Sequence, residues 1–263
     1  MVAAVSLGCP KNTVDTEVML GALAVAGCDF SADPASADII IVNTCGFIKP
    51  AAEESASVID EMAGLKRARP DITLVVAGCL AQKERSALSK SFPEIDLLIG
   101  TSSYPKIVDL LQSSASSHFA KTTFIHNHTH PRLLATPPWT AYLKIAEGCS
   151  NRCSYCAIPK LRGPFRSRSA ASIEREASDL AAIGVRELVL VAQDTTRFGS
   201  SDASPGALPE LLSRLSGIDG IEWLRVMYAY PDLVDERLAE AIASNPKVCR
   251  YIDLPVQHID NAI

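Results

Sequence analysis

Residues 37–45 read ADIIIVNTC, with Ile39, Ile40, Ile41 and Val42 in one unbroken aliphatic run before a short polar step and a cysteine. A β-branched run without polar alternation is the pattern of a strand covered on both faces, as parallel strands in α/β proteins are. The same figure recurs on either side, as VAAVSLGC over 2–9 and DITLVVAGC over 71–79. Each is followed by a stretch of helical periodicity. The first, 14–27, takes Asn12 or Thr13 as its cap and Gly27 as its stop. The second, 50–68, has Pro50 in its first turn and basic residues in its last, and the third covers 81–92. IDLLIG over 95–100 and a helix over 104–111 complete the series. The pattern predicts one α/β domain with a parallel sheet over residues 1–111.

In that series Cys9, Cys45 and Cys79 hold equivalent places, each just past the carboxyl end of a strand and just before a helix. The carboxyl ends of parallel strands open on one side, where α/β ligands bind, so three thiols far apart in sequence are expected to converge. Three separate buried thiols are the alternative; that is ordinary for any one cysteine and a poor account of three in one register. Cys28 follows a helix-stop glycine and Cys249 opens a strand, so both read as core residues.

Residues 112–136 lose the periodicity and collect Ser, Thr, His and Pro, which reads as a linker. Its His126, His128 and His130 have no cysteine or carboxylate beside them, so a solvated stretch is the expected reading rather than a metal site. From 137 a second series begins, with strands at 140–148, 185–193, 221–230 and 249–255 and helices at 172–184, 208–218 and 235–244. This is βα repetition of barrel type. Four strands do not close a barrel, so residues 137–263 are expected to form an incomplete one, in a chain that is a fragment lacking its carboxyl-terminal part.

The whole sequence of 263 residues is 48% hydrophobic and carries a net charge of −5. No run approaches the roughly 18 apolar residues of a membrane span. The start meets Cys9 and Lys11 too soon for a secretory signal. A cytoplasmic protein without membrane attachment is expected, in which eight cysteines serve as metal ligands or catalytic groups. The acidic balance gives no general nucleic-acid footprint; Lys160, Arg162, Arg166 and Arg168 form one basic cluster, read first as a solvated loop.

A second trio stands in IAEGCSNRCSYCAIP, residues 145–159, at Cys149, Cys153 and Cys156, in the loop after the first barrel strand, where barrel enzymes put their chemistry. Zinc is the rival ligand for a Cys-x2-Cys pair, yet no second pair follows at finger spacing. Thiolates also hold iron–sulfur clusters, usually four to a cluster, and three leave one iron open for a small reactant.

The spacing C-x3-C-x2-C with an aromatic before the last cysteine, CSNRCSYC, resembles the radical S-adenosylmethionine (SAM) superfamily. The resemblance implies a 4Fe–4S cluster on Cys149, Cys153 and Cys156 whose open iron chelates SAM, and whose reduction cleaves SAM to a 5′-deoxyadenosyl radical. With the three-cysteine domain upstream it narrows to the methylthiotransferases and covers essentially the whole chain. SLGCPKNTVDTE (6–17), AQDTTRFG (192–199) and YIDLPVQHI (251–259) are similar to the RimO type, which methylthiolates the β-carbon of an aspartate in protein twelve of the small ribosomal subunit. The tRNA-modifying MiaB type, the alternative within the family, shows Gln-Met-Asn, Gln-Asn-Val-Asn and PVQSGS where this chain has Pro10-Lys11-Asn12, Gln193-Asp194-Thr195-Thr196 and Gln257-His258. Thr16 and Phe198 depart mildly from the family's Ser and Tyr, and the family's small β-barrel docking domain is not in the sequence.

The resemblance further implies a second 4Fe–4S cluster on Cys9, Cys45 and Cys79, presenting the sulfur to be transferred. Gln193 is expected beside the SAM amino group and Tyr155 beside its adenine, each with a bland alternative, a surface-loop amide and rim packing. The implied partners are the ribosomal protein substrate and a reductant protein, with ribosomal RNA or an acidic substrate loop as the use of the basic cluster. A zinc-stabilised binding protein without catalysis is the alternative from another class.

Overall fold

Five strands lie side by side in the order β1 (Val2–Ser6), β2 (Ile39–Thr44), β3 (Thr73–Gly78), β4 (Leu97–Ile99) and β5 (Ser117–His118), all parallel, in a computed structural model that describes residues 1–200, 206–255 and 259–261. Between them run α1 (Pro10–Val25), α2 (Lys49–Ala68), α3 (Cys79–Ser91) and α4 (Ile107–Leu111). The aliphatic runs point alternately to the two faces. Ile40, Val42, Leu74 and Val76 pack with Ile59 and Met62 of α2 and Leu88 of α3, whereas Ile41, Val75 and Ile99 pack with Val18, Met19 and Leu23 of α1 and Ile107 of α4. Covering both faces is what the unbroken runs required.

The chain divides into two compact units. One comprises Met1–Phe124, Thr129–Ala135 and Ser150–Pro164; the other comprises Ile125–His128, Thr136–Cys149 and Phe165–Ile263. In chain order the remaining elements are β6 (Thr140–Lys144), β7 (Ala146–Glu147), α5 (Ile158–Arg162), β8 (Arg166–Ser167), α6 (Ala170–Ala182), β9 (Glu187–Val191), α7 (Leu208–Ser216), β10 (Trp223–Val226) and α8 (Glu236–Ser244). The second unit's sheet is parallel, in the order β10, β9, β6, and β7 pairs with β8 antiparallel. α6 buries Ile173, Ala177 and Leu180, and α7 buries Leu208, Leu211, Leu212 and Leu215, the spacing of one helical face. This is the expected α/β class: a parallel sheet followed by part of a βα barrel.

Three readings are corrected. The helix expected over 14–27 begins at Pro10, with Cys9 as its N-cap, so neither Asn12 nor Thr13 caps it. The stretch 112–136 is largely exposed but is not all solvated: it supplies β5, edge-on packing of Phe124 against Tyr104, and a fully buried His126. Ser103 Oγ accepts from the Ala120 amide and ties the stretch to the first unit's sheet side. The strand expected over 249–255 reduces to one bridge between Leu224 and Val248, because the Tyr251 amide turns back to the Cys249 carbonyl and breaks the extension. Gln257 and His258 lie outside the described residues.

Candidate metal centre

Register brings the first trio together. Ser6 is level with Asn43, and Asn43 with Ala77, so Cys9, Cys45 and Cys79 leave three adjacent strands two or three residues beyond one line. The loops are close. A Cβ on Gly8 would stand 2.5 Å from Cys45 Cβ and 2.8 Å from its Sγ, and one on Gly46 would stand 2.9 Å from Leu80 Cα. Cys45 and Cys79 are buried and Cys9 is half-buried. Cys9 caps α1 and Cys79 is the first residue of α3, so two of the thiols stand at helix N-termini.

A polar floor supports these loops. Asn12 Nδ2 donates to the Leu7 and Thr44 carbonyls at 3.0 and 2.9 Å, and Asn43 Nδ2 donates to the Asn12 carbonyl at 2.8 Å. Thr44 Oγ1 donates to the Ala77 carbonyl at 2.6 Å. Ser55 of α2 accepts from the Cys45 amide and donates to the Cys45 carbonyl. Beside the floor lies Arg162: Nη1 donates to Asp15 Oδ2 at 2.6 Å, Nη2 to Asn12 Oδ1, and Nε to Cys79 Sγ at 3.3 Å. Burial pushes the Cys79 thiol up; the Arg162 charge and hydrogen bond pull it down, and Cys9 and Cys45 push it up further. That mutual influence places the three sulfurs in one electrostatic neighbourhood.

Among the described residues no three His, Cys, Asp or Glu side chains are drawn tightly enough for a single metal ion. A 4Fe–4S core is broader than an ion and takes its thiolates further apart. Three thiols on one edge, two at helix N-termini and one with a cationic donor on its sulfur, form a donor set that fits such a core.

Of the second trio, Cys149 belongs to the second unit and Cys153 and Cys156 to the first. Cys149 is buried just past β7, and the half-buried Cys153 and Cys156 are joined by a bond from the Cys156 amide to the Cys153 carbonyl at 3.1 Å. Tyr155 is 64% exposed. In the second unit, fully buried Lys144 donates to Glu147 Oε2 at 2.9 Å, and Glu147 Oε1 accepts from Gln193 Nε2 at 2.7 Å and from the Gly148 amide at 3.2 Å. Gln193 is half-buried. Its amide nitrogen is turned to a carboxylate, and its Oε1 is buried with no hydrogen-bond partner.

The basic cluster is not one face. Arg162 and Arg168 are buried, the latter bonded to Glu176, to Ser172 Oγ and to the Lys144 carbonyl. His126 joins that second group, 3.2 Å from Arg168 Nη1 and 3.6 Å from Glu176 Oε2, and burial pushes its pKa down to about 4. Cys28 packs against the α1 side of the first sheet, as a core residue does. Two features escaped sequence reading. One is Arg162 at the thiols. The other is the glycine before Cys9, Cys79 and Cys149, which has positive φ in every case (92°, 96° and 77°); the repeated Gly-Cys pair was the available signal.

The model of Uncharacterized protein family UPF0004 matches residues 1–100, and that of the Radical SAM superfamily matches residues 143–263. A ribosomal protein uS12 methylthiotransferase RimO from Trichlorobacter lovleyi is 47% identical over 267 residues, covering 100% of this chain and 60% of that protein. One from Desulforamulus reducens is 48% identical over 263 residues, covering 98% and 59%. The chain thus spans about 60% of the length of these curated relatives. The radical SAM methyltransferase TsrM from Kitasatospora setae, solved with tryptophan and a SAM analogue, superposes with a TM-score of 0.68 at 17% identity over 99% of this chain and 59% of its own, a likeness of fold. No helix among the described residues is long and apolar enough to cross a membrane.

Proposed function

We propose a function for a chain that belongs to the RimO-type radical SAM methylthiotransferases: it is the part bearing both cluster motifs of a cytoplasmic enzyme that adds a methylthio group to the β-carbon of an aspartate in ribosomal protein uS12. Residues 1–111 are assigned to the methylthiotransferase domain and 137–263 to the radical SAM domain. The observation that carries the reading is the convergence of Cys9, Cys45 and Cys79 at one sheet edge. When bound, a 4Fe–4S cluster on Cys149, Cys153 and Cys156 supplies the electron that cleaves SAM, and one on Cys9, Cys45 and Cys79 supplies the site of the sulfur to be transferred.

The chain's own residues bind and orient. Buried Lys144 fixes Glu147, Glu147 fixes the Gln193 amide, and the unpartnered Gln193 Oε1 is left as an acceptor for the ammonium of SAM. The exposed ring of Tyr155 is assigned to stack on the adenine. A reductant protein delivers the electrons, and the ribosomal protein presents the aspartate to be modified.

The test is anaerobic reconstitution of the whole enzyme of which this chain is a part, followed by metal analysis and mass spectrometry of uS12 incubated with SAM, sulfide and a reductant. About eight irons with matching sulfide and methylthiolated aspartate are expected. A colourless protein holding one or two zincs would end this reading.

A further inference from the structure

Arg162 closes α5, six positions after Cys156, and its side chain is 2% exposed. Its guanidinium is fixed at both outer nitrogens, Nη1 on Asp15 and Nη2 on Asn12, which leaves Nε aimed at Cys79 Sγ, 3.3 Å away. The backbone around it is fixed as well. Thr101 Oγ1 donates to the Leu161 carbonyl at 2.6 Å, and Gly163, at φ +77°, lies so close to Thr122 that a Cβ there would stand 2.2 Å from the Thr122 carbonyl oxygen. An ion pair that merely fastened α5 to α1 would need only one cationic nitrogen on Asp15, which lysine also provides. Two anchored nitrogens and a third aimed at sulfur are what the rigid planar fork of arginine adds.

We propose that Arg162 is a positioning residue of the first iron–sulfur site: it donates a hydrogen bond through Nε to the ligating sulfur of Cys79 and so holds the cluster's reduction potential up. This rests on the assignment of Cys9, Cys45 and Cys79 as iron ligands. A donor on a ligating sulfur withdraws electron density and favours the reduced, more negative cluster, and hydrogen bonds to sulfur are among the determinants of cluster potential. Because Asp15 already matches the arginine's charge, the directional bond is the operative part. A segment of the radical SAM motif thereby sets the redox level of the site built by the amino-terminal sheet.

The test uses the whole chain with Cys149, Cys153 and Cys156 replaced by alanine, so that only the first cluster assembles. Its midpoint is read by titration with dithionite under electron paramagnetic resonance. In that background Arg162→Lys keeps the charge opposite Asp15 and loses the fork, whereas Arg162→Met with Asp15→Asn removes charge and donor together. Both variants are expected to keep about four irons, to shift the midpoint downward by similar amounts and to change the resonance line shape. An unchanged midpoint in both, or a parent-like midpoint with lysine alone, would overturn the hydrogen-bond role. Loss of iron from both variants would make Arg162 a structural strut and overturn it equally. Failure of the unsubstituted background itself to take up iron would instead sink the ligand assignment made under Proposed function.

Discussion

Gly78 holds φ +96° and ψ −158°, a backbone region open in practice to glycine alone, and a Cβ there would stand 2.3 Å from Asn43 Oδ1 and 2.5 Å from the Thr44 carbonyl oxygen. Gly78→Ala is therefore expected to cost about 2–3 kcal/mol, from the left-handed strain and the displaced floor, and to lower iron retention at the first trio; denaturant unfolding and iron analysis check this. His126 links stability to pH. Burial lowers its folded pKa to about 4 from the ordinary 6.5, with the charges of Arg168 and Lys144 acting in the same direction and Glu176 opposing. The unfolded chain then binds a proton that the folded one refuses between pH 6.5 and about 4. Stability rises with pH across that window, by about 3 kcal/mol in all, and is lost as pH falls through it. The slope of unfolding free energy against pH should be flatter in His126→Gln by up to about one proton. At Gln193, replacement by Leu removes an unpartnered acceptor, and SAM affinity measured by calorimetry on reconstituted protein should fall by about tenfold or more.

Elements were legible where burial dictates composition. Strands covered on both faces wrote unbroken aliphatic runs, and helices covered on one face wrote the spacing seen in Leu208, Leu211, Leu212 and Leu215. β5 was not legible, because two residues, Ser117 and His118, carry no periodicity and are strand only through pairing with β4. The start of α1 was hidden because its N-cap, Cys9, makes no side-chain capping bond. By contrast α8 starts where the sequence says, at Asp235, whose Oδ1 accepts from the Leu238 amide at 2.9 Å. Asp235→Ala should cost about 1 kcal/mol, seen as a lower urea midpoint with unchanged slope. The convergence of the first trio was legible from strand register. Arg162 was not, since its partner Asp15 lies 147 positions away and only the fold brings them together.

At the scale of the molecule, the trios are expected to load independently, because one is built by β1, β2 and β3 and the other by the loop that follows β7. Cys9/Cys45/Cys79→Ala and Cys149/Cys153/Cys156→Ala should each lose about four irons and keep the rest. Only the first variant should still cleave SAM, as read by release of 5′-deoxyadenosine. The first unit is assembled from three separated stretches, ending with Ser150–Pro164. Ile125–His128 and Thr136–Cys149, which belong to the second unit, are threaded between them. A chain emerging from the ribosome therefore exposes the sheet and its three thiols long before α5 arrives with Arg162. The usual order of synthesis, in which one domain is finished before the next begins, is closed to this protein, and its two halves must mature interleaved.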